Sequence, residues 1–209
     1  PLNSLVVLEN SGINKIEDLK GKKVGYSVSG FETALLDSML KSVNLSAKDV
    51  ELVNVNWSLS PSLMSKQVDA VIGAFRNFEL NQLKLEKAEG IAFFPEDYGV
   101  PKYDELIVVA NKENISAKKY KNFVKSLQEA TIYLKENPEE SWKAFVSYKP
   151  KELDNELNRL AWKDTLPYLA QNPAIFDKII YEQMALFMKE NKLIKTLPNL
   201  DEYAQELLK

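Results

Sequence analysis

The chain has 209 residues, of which 45% are hydrophobic, and its 27 basic and 30 acidic residues give a formal net charge of −3. This composition supports a folded core and excludes an extensively disordered chain. Cysteine and histidine are absent, which excludes disulfides, thiol nucleophiles, Cys/His zinc sites and imidazole catalysis from these residues. The lack of a basic stripe disfavours nucleic-acid binding, and no apolar run reaches the roughly 18–20 residues that a membrane-spanning helix needs.

Hydrophobic periodicity predicts alternating strands and helices in the first half of the chain. The predicted strands cover residues 5–8, 22–26, 50–55, 70–72, 91–94 and 106–110. Helices are predicted over 31–43 and 80–88, and from Ser60 with Pro61 in the first turn. A single helical turn is predicted over 15–21. This alternation favours an α/β fold with right-handed crossovers.

After residue 114 the pattern is helical. Helices are predicted over 117–137, which Ser116 caps, and over 138–146, 153–168, 174–191 and 200–208. Their aromatic residues recur at helical spacing, which is typical of a buried face. The aromatic residues predicted to be core are Trp142, Phe145, Trp162, Phe176, Tyr181 and Phe187.

The apolar strands predicted at 5–8 and 106–110 lie on either side of the β/α unit in the sequence. In hinged binding proteins, two adjacent crossover strands join the two lobes in this way. We therefore predict a lobe 1 strand and first crossing in residues 1–10, lobe 2 in 11–105, and the second crossing with the helices of lobe 1 in 106–209. Lobe 1 would then lack most of its sheet. The chain also begins without a methionine or a signal peptide, so we expect an N-terminal βα segment in the whole protein.

The stretch over residues 68–79 is the most informative in the chain. Its apolar run predicts a buried strand that Gly73 ends, and this glycine allows close approach to the backbone. Open α/β sheets bind ligands at the carboxyl ends of their strands. There Phe75 would stack on a ring, and Glu79 would accept hydrogen bonds from a flat nitrogen heterocycle with adjacent donors. The alternative for Glu79 is a solvated glutamate in the first turn of a helix.

The loop that follows the strand at 22–26 supplies further candidates. Ser27, Ser29 and Gly30 precede a predicted helix, so their amides and hydroxyls would bind an anion or a polar ligand atom. The alternative is ordinary helix capping by Ser29. The loop is not a phosphate-binding P-loop, because the lysine and the spaced glycines of that motif are absent.

Two other loops add polar and aromatic candidates. Asn56 and Trp57 follow the strand at 50–55, where Asn56 would reach a ligand or cap a turn, and Trp57 would stack on a ring or join the core. Tyr98 lies near the second crossing and would face the cleft or pack at the hinge.

Several segments resemble one known family. Residues 16–25 (IEDLKGKKVG) are similar to a motif of ABC-transporter substrate-binding proteins. The segments that narrow the resemblance lie at 27–32, 67–73, 77–79, 96–106, 153–159, 161–162 and 164–167. Together they resemble, over nearly the whole chain, the bacterial binding proteins for thiamine pyrimidine precursors. That family includes the binders of hydroxymethylpyrimidine and formylaminopyrimidine.

The resemblance implies a type II periplasmic-binding-protein fold, with two lobes joined by two crossover strands. It also implies an aminopyrimidine stacked on aromatic rings, with Glu79 bonded to its ring nitrogen and exocyclic amine. The family's N-terminal segment, which holds a ligand loop with tryptophan, asparagine and histidine, has no counterpart here. Half of the cleft is therefore expected to lie outside this sequence.

We accordingly predict a solute-binding protein that closes about a hinge on its pyrimidine and delivers it to the permease of an ABC importer. We expect a monomer without cofactor, metal or catalytic residues, located in the periplasm or held at the cell surface as a lipoprotein. Two alternatives stay open. Eukaryotic pyrimidine synthases share the fold, but they carry a cysteine-rich run and use pyridoxal phosphate and a histidine. The fold also binds sulfonates or riboflavin-like rings, although a glutamate at the ligand edge disfavours an anionic sulfonate.

Overall fold

The computed structural model describes residues 1–115 and 118–208, and its centre is a five-stranded sheet. The strands are β1 (Asn3–Leu8), β2 (Lys23–Tyr26), β3 (Glu51–Asn54), β4 (Ala70–Phe75) and β5 (Gly90–Phe93). Their order across the sheet is β3-β2-β4-β1-β5. β2 is parallel to β3 and β4, whereas β1 is antiparallel to both of its neighbours, β4 and β5. The carboxyl ends of β2, β3, β4 and β5 therefore share one edge of the sheet.

β1 lies inside the sheet because its side chains are apolar on both faces. Leu5, Val6 and Val7 are fully buried, as expected for a strand with packed layers on both sides. Ser4 donates from Oγ to the carbonyl oxygen of Ala74 at 2.7 Å, so the buried hydroxyl of this strand has a partner.

Helices cover both faces of the sheet, which confirms the α/β prediction. The helices are α1 (Phe31–Ser42), α2 (Leu59–Met64), α3 (Glu79–Leu85), α4 (Lys118–Glu136), α5 (Pro138–Tyr148), α6 (Pro150–Leu153), α7 (Glu156–Thr165), α8 (Lys178–Glu190) and α9 (Leu200–Tyr203). On one face Leu35 and Met39 of α1 join Ile72 in a buried cluster. On the other face Leu63 of α2 and Leu83 of α3 pack around the sheet. No helix in the described part of the chain combines the length and apolarity that crossing a membrane requires.

The C-terminal helices contact one another and the sheet unit. The rings of Trp142 in α5 and Trp162 in α7 lie 5.8 Å apart, and Phe145 stacks on Trp162 at 5.1 Å. Trp142 is buried, as predicted, whereas Phe145 is 39% exposed. α7 packs against α3, and Phe187 of α8 belongs to the buried cluster beneath α1. The division into lobes at the predicted boundaries stays a proposal.

The strand predicted over residues 106–110 is wrong. These residues form no strand in the structure, and the side chains of Leu106 and Val109 are 77% and 81% exposed. β-branched residues favour extended chain, but a strand persists only where a neighbouring strand supplies its hydrogen-bond partners. Among the described residues no strand pairs with 106–110, since the sheet ends at β3 on one side and at β5 on the other.

Polar caps shift two predicted helix bounds. The segment 153–168 is not one helix, because Asn155 begins α7 by accepting a hydrogen bond from the amide of Asn158 at 2.9 Å. Asp177 begins α8 in the same way, so that helix is shorter than predicted. The expected capping residue Ser116 lies outside the described residues.

Candidate functional site

The predicted site residues all follow strands that end at the same edge of the sheet. Phe75 is the last residue of β4, and Glu79 is the first residue of α3. The segments 27–30, 56–57 and 95–98 leave β2, β3 and β5 at this edge. The sheet topology therefore places four candidate loops where α/β sheets bind their ligands.

The Glu79 carboxylate turns back onto the end of β4. Its Oε2 accepts a hydrogen bond from the amide of Phe75 at 2.6 Å. Burial raises the pKa of Glu79, and the nearby carboxylate of Glu32 raises it further, although the amides of Phe75 and of Glu79 itself oppose both effects. Glu79 is thus half-buried and held in place, which differs from a freely solvated glutamate at a helix start.

A second carboxylate, which the sequence reasoning did not single out, lies beside Glu79. Glu32 is only 6% exposed. Its Oε2 accepts from the amides of Ser27 at 2.8 Å and Val28 at 3.0 Å, and the Ser27 hydroxyl donates to Oε1 at 3.1 Å. A glutamate in the first turn of a helix, just after a polar loop, is the sequence signal that would have indicated it.

Gly73 makes room for this carboxylate. β4 continues through Gly73, so the prediction that this glycine ends the strand is wrong, whereas the predicted close approach to its backbone is confirmed. A Cβ at Gly73 would stand 2.5 and 2.6 Å from the two Glu32 carboxylate oxygens. The φ angle of Gly73 is +98°, a conformation that glycine alone adopts without strain.

The loop at 27–30 uses its backbone donors internally. The amides of Ser27 and Val28 donate to Glu32, and the amide of Gly30 donates to the Thr33 hydroxyl at 3.2 Å. Gly30, not Ser29, is the residue that immediately precedes α1, so the alternative of capping by Ser29 is wrong. Of the amides that were expected to bind an anion, those of Ser27 and Gly30 are therefore occupied by side chains of the protein itself.

The Arg76 guanidinium at this edge of the sheet has a structural role. The Arg76 guanidinium forms two hydrogen bonds with Glu96, at 2.9 and 3.0 Å, and donates to the carbonyls of Leu2 and Asn3. It also lies 3.8 Å from the centre of the Phe94 ring. Burial alone would raise the pKa of Glu96, but the hydrogen bonds and charge of Arg76 outweigh it and lower that pKa.

Two asparagines connect the start of α3 to α7. Asn77 donates from Nδ2 to the hydroxyl of Thr165 at 2.7 Å, and Asn81 donates from Nδ2 to the carboxylate of Asp164 at 2.7 Å. The loop between Phe75 and Glu79 is therefore held both by β1 through Arg76 and by the C-terminal helices. Sequence reasoning missed this link because the partners are remote in the chain.

The aromatic candidates differ in exposure. Trp57 is 83% exposed, and Asn56 before it has a φ of +50° and is also exposed. Phe75 is half-buried beside Glu79. Tyr98 packs against the buried cluster beneath α1, where burial and the charges of Asp97 and Glu17 raise its pKa. The structure thus gives Trp57 an open ring face, whereas Tyr98 contributes to packing.

The chemistry of the edge suits a ligand that donates hydrogen bonds. It combines two acceptor carboxylates, Glu32 and Glu79, with the exposed ring of Trp57 and the partly buried ring of Phe75. Carboxylates pair with N–H groups, and ring faces pair with flat heterocycles. Within residues 1–115 and 118–208, no group of three or more carboxylate, imidazole or thiolate side chains has the spacing to hold a metal ion.

Comparison with known families gives a match over most of the chain. The family model described as NMT1/THI5 like matches residues 1–141. A "Putative thiamine biosynthesis protein" of Haemophilus influenzae is 65% identical over 99% of this chain and 66% of its own length. A "Formylaminopyrimidine-binding protein" of Halalkalibacterium halodurans is 32% identical over 68% of this chain and 43% of its own length. The chain thus spans less than two thirds of each of these proteins.

More distant matches extend to enzymes and to solved structures. A "4-amino-5-hydroxymethyl-2-methylpyrimidine phosphate synthase" of Schizosaccharomyces pombe is 23% identical over 82% of this chain and 52% of its own length. The periplasmic aliphatic sulphonate binding protein SsuA of Escherichia coli superposes with a TM-score of 0.72, at 15% identity, over 98% of this chain and 66% of that one. Together with the mixed sheet, this structural match shows the type II periplasmic-binding-protein fold.

Proposed function

Because the chain belongs to the NMT1/THI5-like family, we propose that it is part of a solute-binding protein for an aminopyrimidine precursor of thiamine. The relatives that are 65% and 32% identical, named for thiamine biosynthesis and formylaminopyrimidine binding, support this proposal. The pyrimidine synthases are more distant, at 23% identity, and this chain contains no cysteine for a cysteine-rich run. A binding role is therefore favoured over an enzymatic one.

The observation that carries the proposal is the carboxylate of Glu79 at the carboxyl end of β4. It is oriented by the amide of Phe75 and lies at the edge of the sheet where β4 ends with Phe75 and where Trp57 follows β3. A 4-aminopyrimidine has a ring nitrogen beside an exocyclic amine. The amine donates to one oxygen of a carboxyl group, and a proton shared between the other oxygen and the ring nitrogen completes a second hydrogen bond. The flat face of the same ring stacks on an aromatic side chain.

The fold supports a proposed transport cycle in which the protein closes on its ligand. In a two-lobed binding protein the ligand contacts both lobes and shifts the open–closed equilibrium by its preference for the closed form. We propose that the two lobes meet near residues 1–10 and 106–110. We place the protein in the periplasm or at the cell surface, with the permease of an ABC importer as its partner.

Glu79→Gln tests the proposed role of the carboxylate. In the full-length protein, calorimetric titration with formylaminopyrimidine and with 4-amino-5-hydroxymethyl-2-methylpyrimidine should give at least about tenfold weaker binding in the variant, because one charge-assisted hydrogen bond is worth about 1.5–3 kcal/mol. Glu86→Gln is the matched control, since it removes the same charge from an exposed position just after α3. Equal affinity of Glu79→Gln and Glu86→Gln would refute the role of Glu79.

Tryptophan fluorescence tests the stacking face. This chain has three tryptophans, and Trp57 is far more exposed than Trp142, which is 5% exposed. Stacking of a pyrimidine on Trp57 should quench its emission and shift it to shorter wavelength. Trp57→Phe should remove this part of the change while keeping a ring for stacking. A ligand-induced change of the same size in Trp57→Phe and in the wild type would exclude Trp57 as the stacking residue.

A further inference from the structure

We propose that Glu32 is a resident anion that excludes phosphorylated and sulfonated ligands from the cleft, so that the site selects uncharged pyrimidines. This inference rests on the proposed function, and it specifies that the ligand carries no negative charge. Three separate features of the structure lead to it: the occupied amides before α1, the burial of Glu32 against Gly73, and its electrostatic effect on Glu79.

The start of α1 has the form of an anion-binding site. A helix N-terminus that follows a loop with free amides attracts phosphate or sulfonate through its N–H groups and its dipole. α1 is 12 residues long and follows β2 at the ligand edge of the sheet. Here, however, the amides of Ser27 and Val28 and the hydroxyl of Ser27 all donate to Glu32. The protein's own carboxylate therefore takes up the hydrogen bonds that these two amides could give to a ligand anion.

The carboxylate cannot easily move aside for a ligand. It is 6% exposed and lies directly on the backbone of Gly73, where even a Cβ would overlap its oxygens. Leaving this position would cost Glu32 its hydrogen bonds from the amides of Ser27 and Val28 and from the Ser27 hydroxyl, which are strong because the acceptor is charged. The close fit between Glu32 and Gly73 therefore keeps the position filled.

The charge of Glu32 also extends to the candidate ligand position. Its carboxylate raises the pKa of Glu79, so the two acids interact through space. A phosphate or sulfonate at the same edge would add a third negative group to this pair and would be repelled. A pyrimidine alcohol or amine brings N–H donors without a negative charge, and it suits two acceptors. The fold alone does not decide this, since the sulphonate-binding SsuA shares it.

Sulfate titration of Glu32 variants tests the proposal without any pyrimidine. In the full-length protein, Glu32→Ala should free the Ser27 and Val28 amides and bind inorganic sulfate at least about tenfold more tightly than the wild type, a gain of about 1.4 kcal/mol. Glu32→Gln keeps the shape and the two amide bonds but removes the charge, so its sulfate affinity should lie between the two. Asp37→Asn, which removes a carboxylate from the same helix beside Lys41, should behave like the wild type.

The outcomes separate this proposal from the proposed function. Wild-type binding of 4-amino-5-hydroxymethyl-2-methylpyrimidine tests the function, whereas the sulfate comparison tests Glu32 alone. If Glu32→Ala fails to fold, Glu32→Gln replaces it in the comparison. The proposal would be overturned if the variant that is used binds sulfate no more tightly than the wild type. A gain in Asp37→Asn as large as that in either Glu32 variant would overturn it too, because a general charge effect would then suffice. If the wild type binds the pyrimidine alcohol, the ratio of its affinities for the alcohol and for the phosphate ester can be measured. This ratio should be smaller in Glu32→Gln than in the wild type.

Discussion

The Glu32 carboxylate lies so close to Gly73 that a Cβ on that glycine would be 2.5 and 2.6 Å from the two carboxylate oxygens. This contact joins the first turn of α1 to the centre of β4, and it fixes one wall of the candidate site. Because Glu32 is held by the loop at 27–30 and also acts on Glu79, the contact connects three of the segments that form the ligand edge.

Gly73→Ala should destabilise the protein strongly. The added Cβ would displace the Glu32 carboxylate from its hydrogen bonds, each worth about 1.5–3 kcal/mol, and would strain a backbone whose φ is +98°. We expect the free energy of unfolding, measured by urea denaturation, to fall by about 3 kcal/mol or more.

Gly12→Ala is the matched control for this substitution. Gly12 has a φ of +79°, but nothing lies within 4 Å of its Cβ position, so strain alone should lower the unfolding free energy by about 1–2 kcal/mol. In a Glu32→Ala background the clash is absent, and Gly73→Ala should then cost about as much as Gly12→Ala. Equal costs of the two glycine substitutions in the wild-type background would contradict the proposed steric role.

The stability of the protein should depend on pH in opposite ways through Glu79 and Glu96. Burial, as the largest cause, raises the pKa of Glu79, so the native state retains this proton to a higher pH than the unfolded chain does. The stability difference between the wild type and Glu79→Gln should therefore fall as pH rises from about 4 through the raised pKa.

The stability contribution of Glu96 should change with pH in the opposite direction to that of Glu79. Burial alone would raise its pKa, but Arg76 outweighs this effect and lowers it. Its stabilising contribution is complete above the unfolded pKa and is lost as pH falls through the lowered native pKa. The stability difference between the wild type and Glu96→Gln should thus rise with pH from the lowered native pKa up to the unfolded pKa of about 4, which lies below the range in which Glu79 acts. Urea denaturation at constant ionic strength measures both differences. Slopes of the same sign for the two variants would be inconsistent with these environments.

The sheet was largely predictable because its strands carry local patterns. The apolar run at Leu5–Leu8 and the alternation over 50–55 gave strands at the right places, and the topology then placed the loops at one edge. The segment 106–110 carries the same local pattern but forms no strand, since strand formation depends on a partner that local sequence does not reveal. The local sequence pattern identifies a possible strand, and hydrogen bonding to a neighbouring strand determines whether that strand forms.

The candidate site was only half visible in the sequence. Gly73 was predicted to allow close approach, but the approaching group, Glu32, comes from a different element and no local pattern connects the two. Arg76 was similarly visible as a cation, whereas its partners Glu96, Leu2 and Asn3 follow from strand order. Contacts between remote segments depend on packing in three dimensions, which is why the resident carboxylate emerged only from the structure.

Arg76→Lys should show that this cation belongs to the scaffold. The side chains of Arg76 and Glu96 are 8% and 15% exposed, and lysine can reproduce neither the two-point contact with the carboxylate nor the bonds to both carbonyls. We expect the unfolding free energy to fall by about 3 kcal/mol. Arg159→Lys is the control, because Arg159 pairs with Glu139 at an exposed position and should cost less than about 1 kcal/mol. Similar losses in the two variants would argue against a special role for Arg76.

The hydrogen bond between Asn81 and Asp164 should couple α7 to the start of α3, on which Glu79 lies. Asn81 Nδ2 donates to Asp164 Oδ2 at 2.7 Å, and Asn81 is 8% exposed although Asp164 is exposed, so the donor side of this bond is shielded from water. A double-mutant cycle with Asn81→Ala and Asp164→Ala, followed by urea denaturation, should give a coupling energy of about 1–2 kcal/mol. Lys149 and Glu152 form an exposed pair in the same chain, and the equivalent cycle there should give about 0.5 kcal/mol or less. A loss of pyrimidine affinity in Asn81→Ala that matches the coupling energy would mean that α7 helps to position Glu79. Additive effects of the two substitutions on stability would instead show that α3 and α7 are energetically independent.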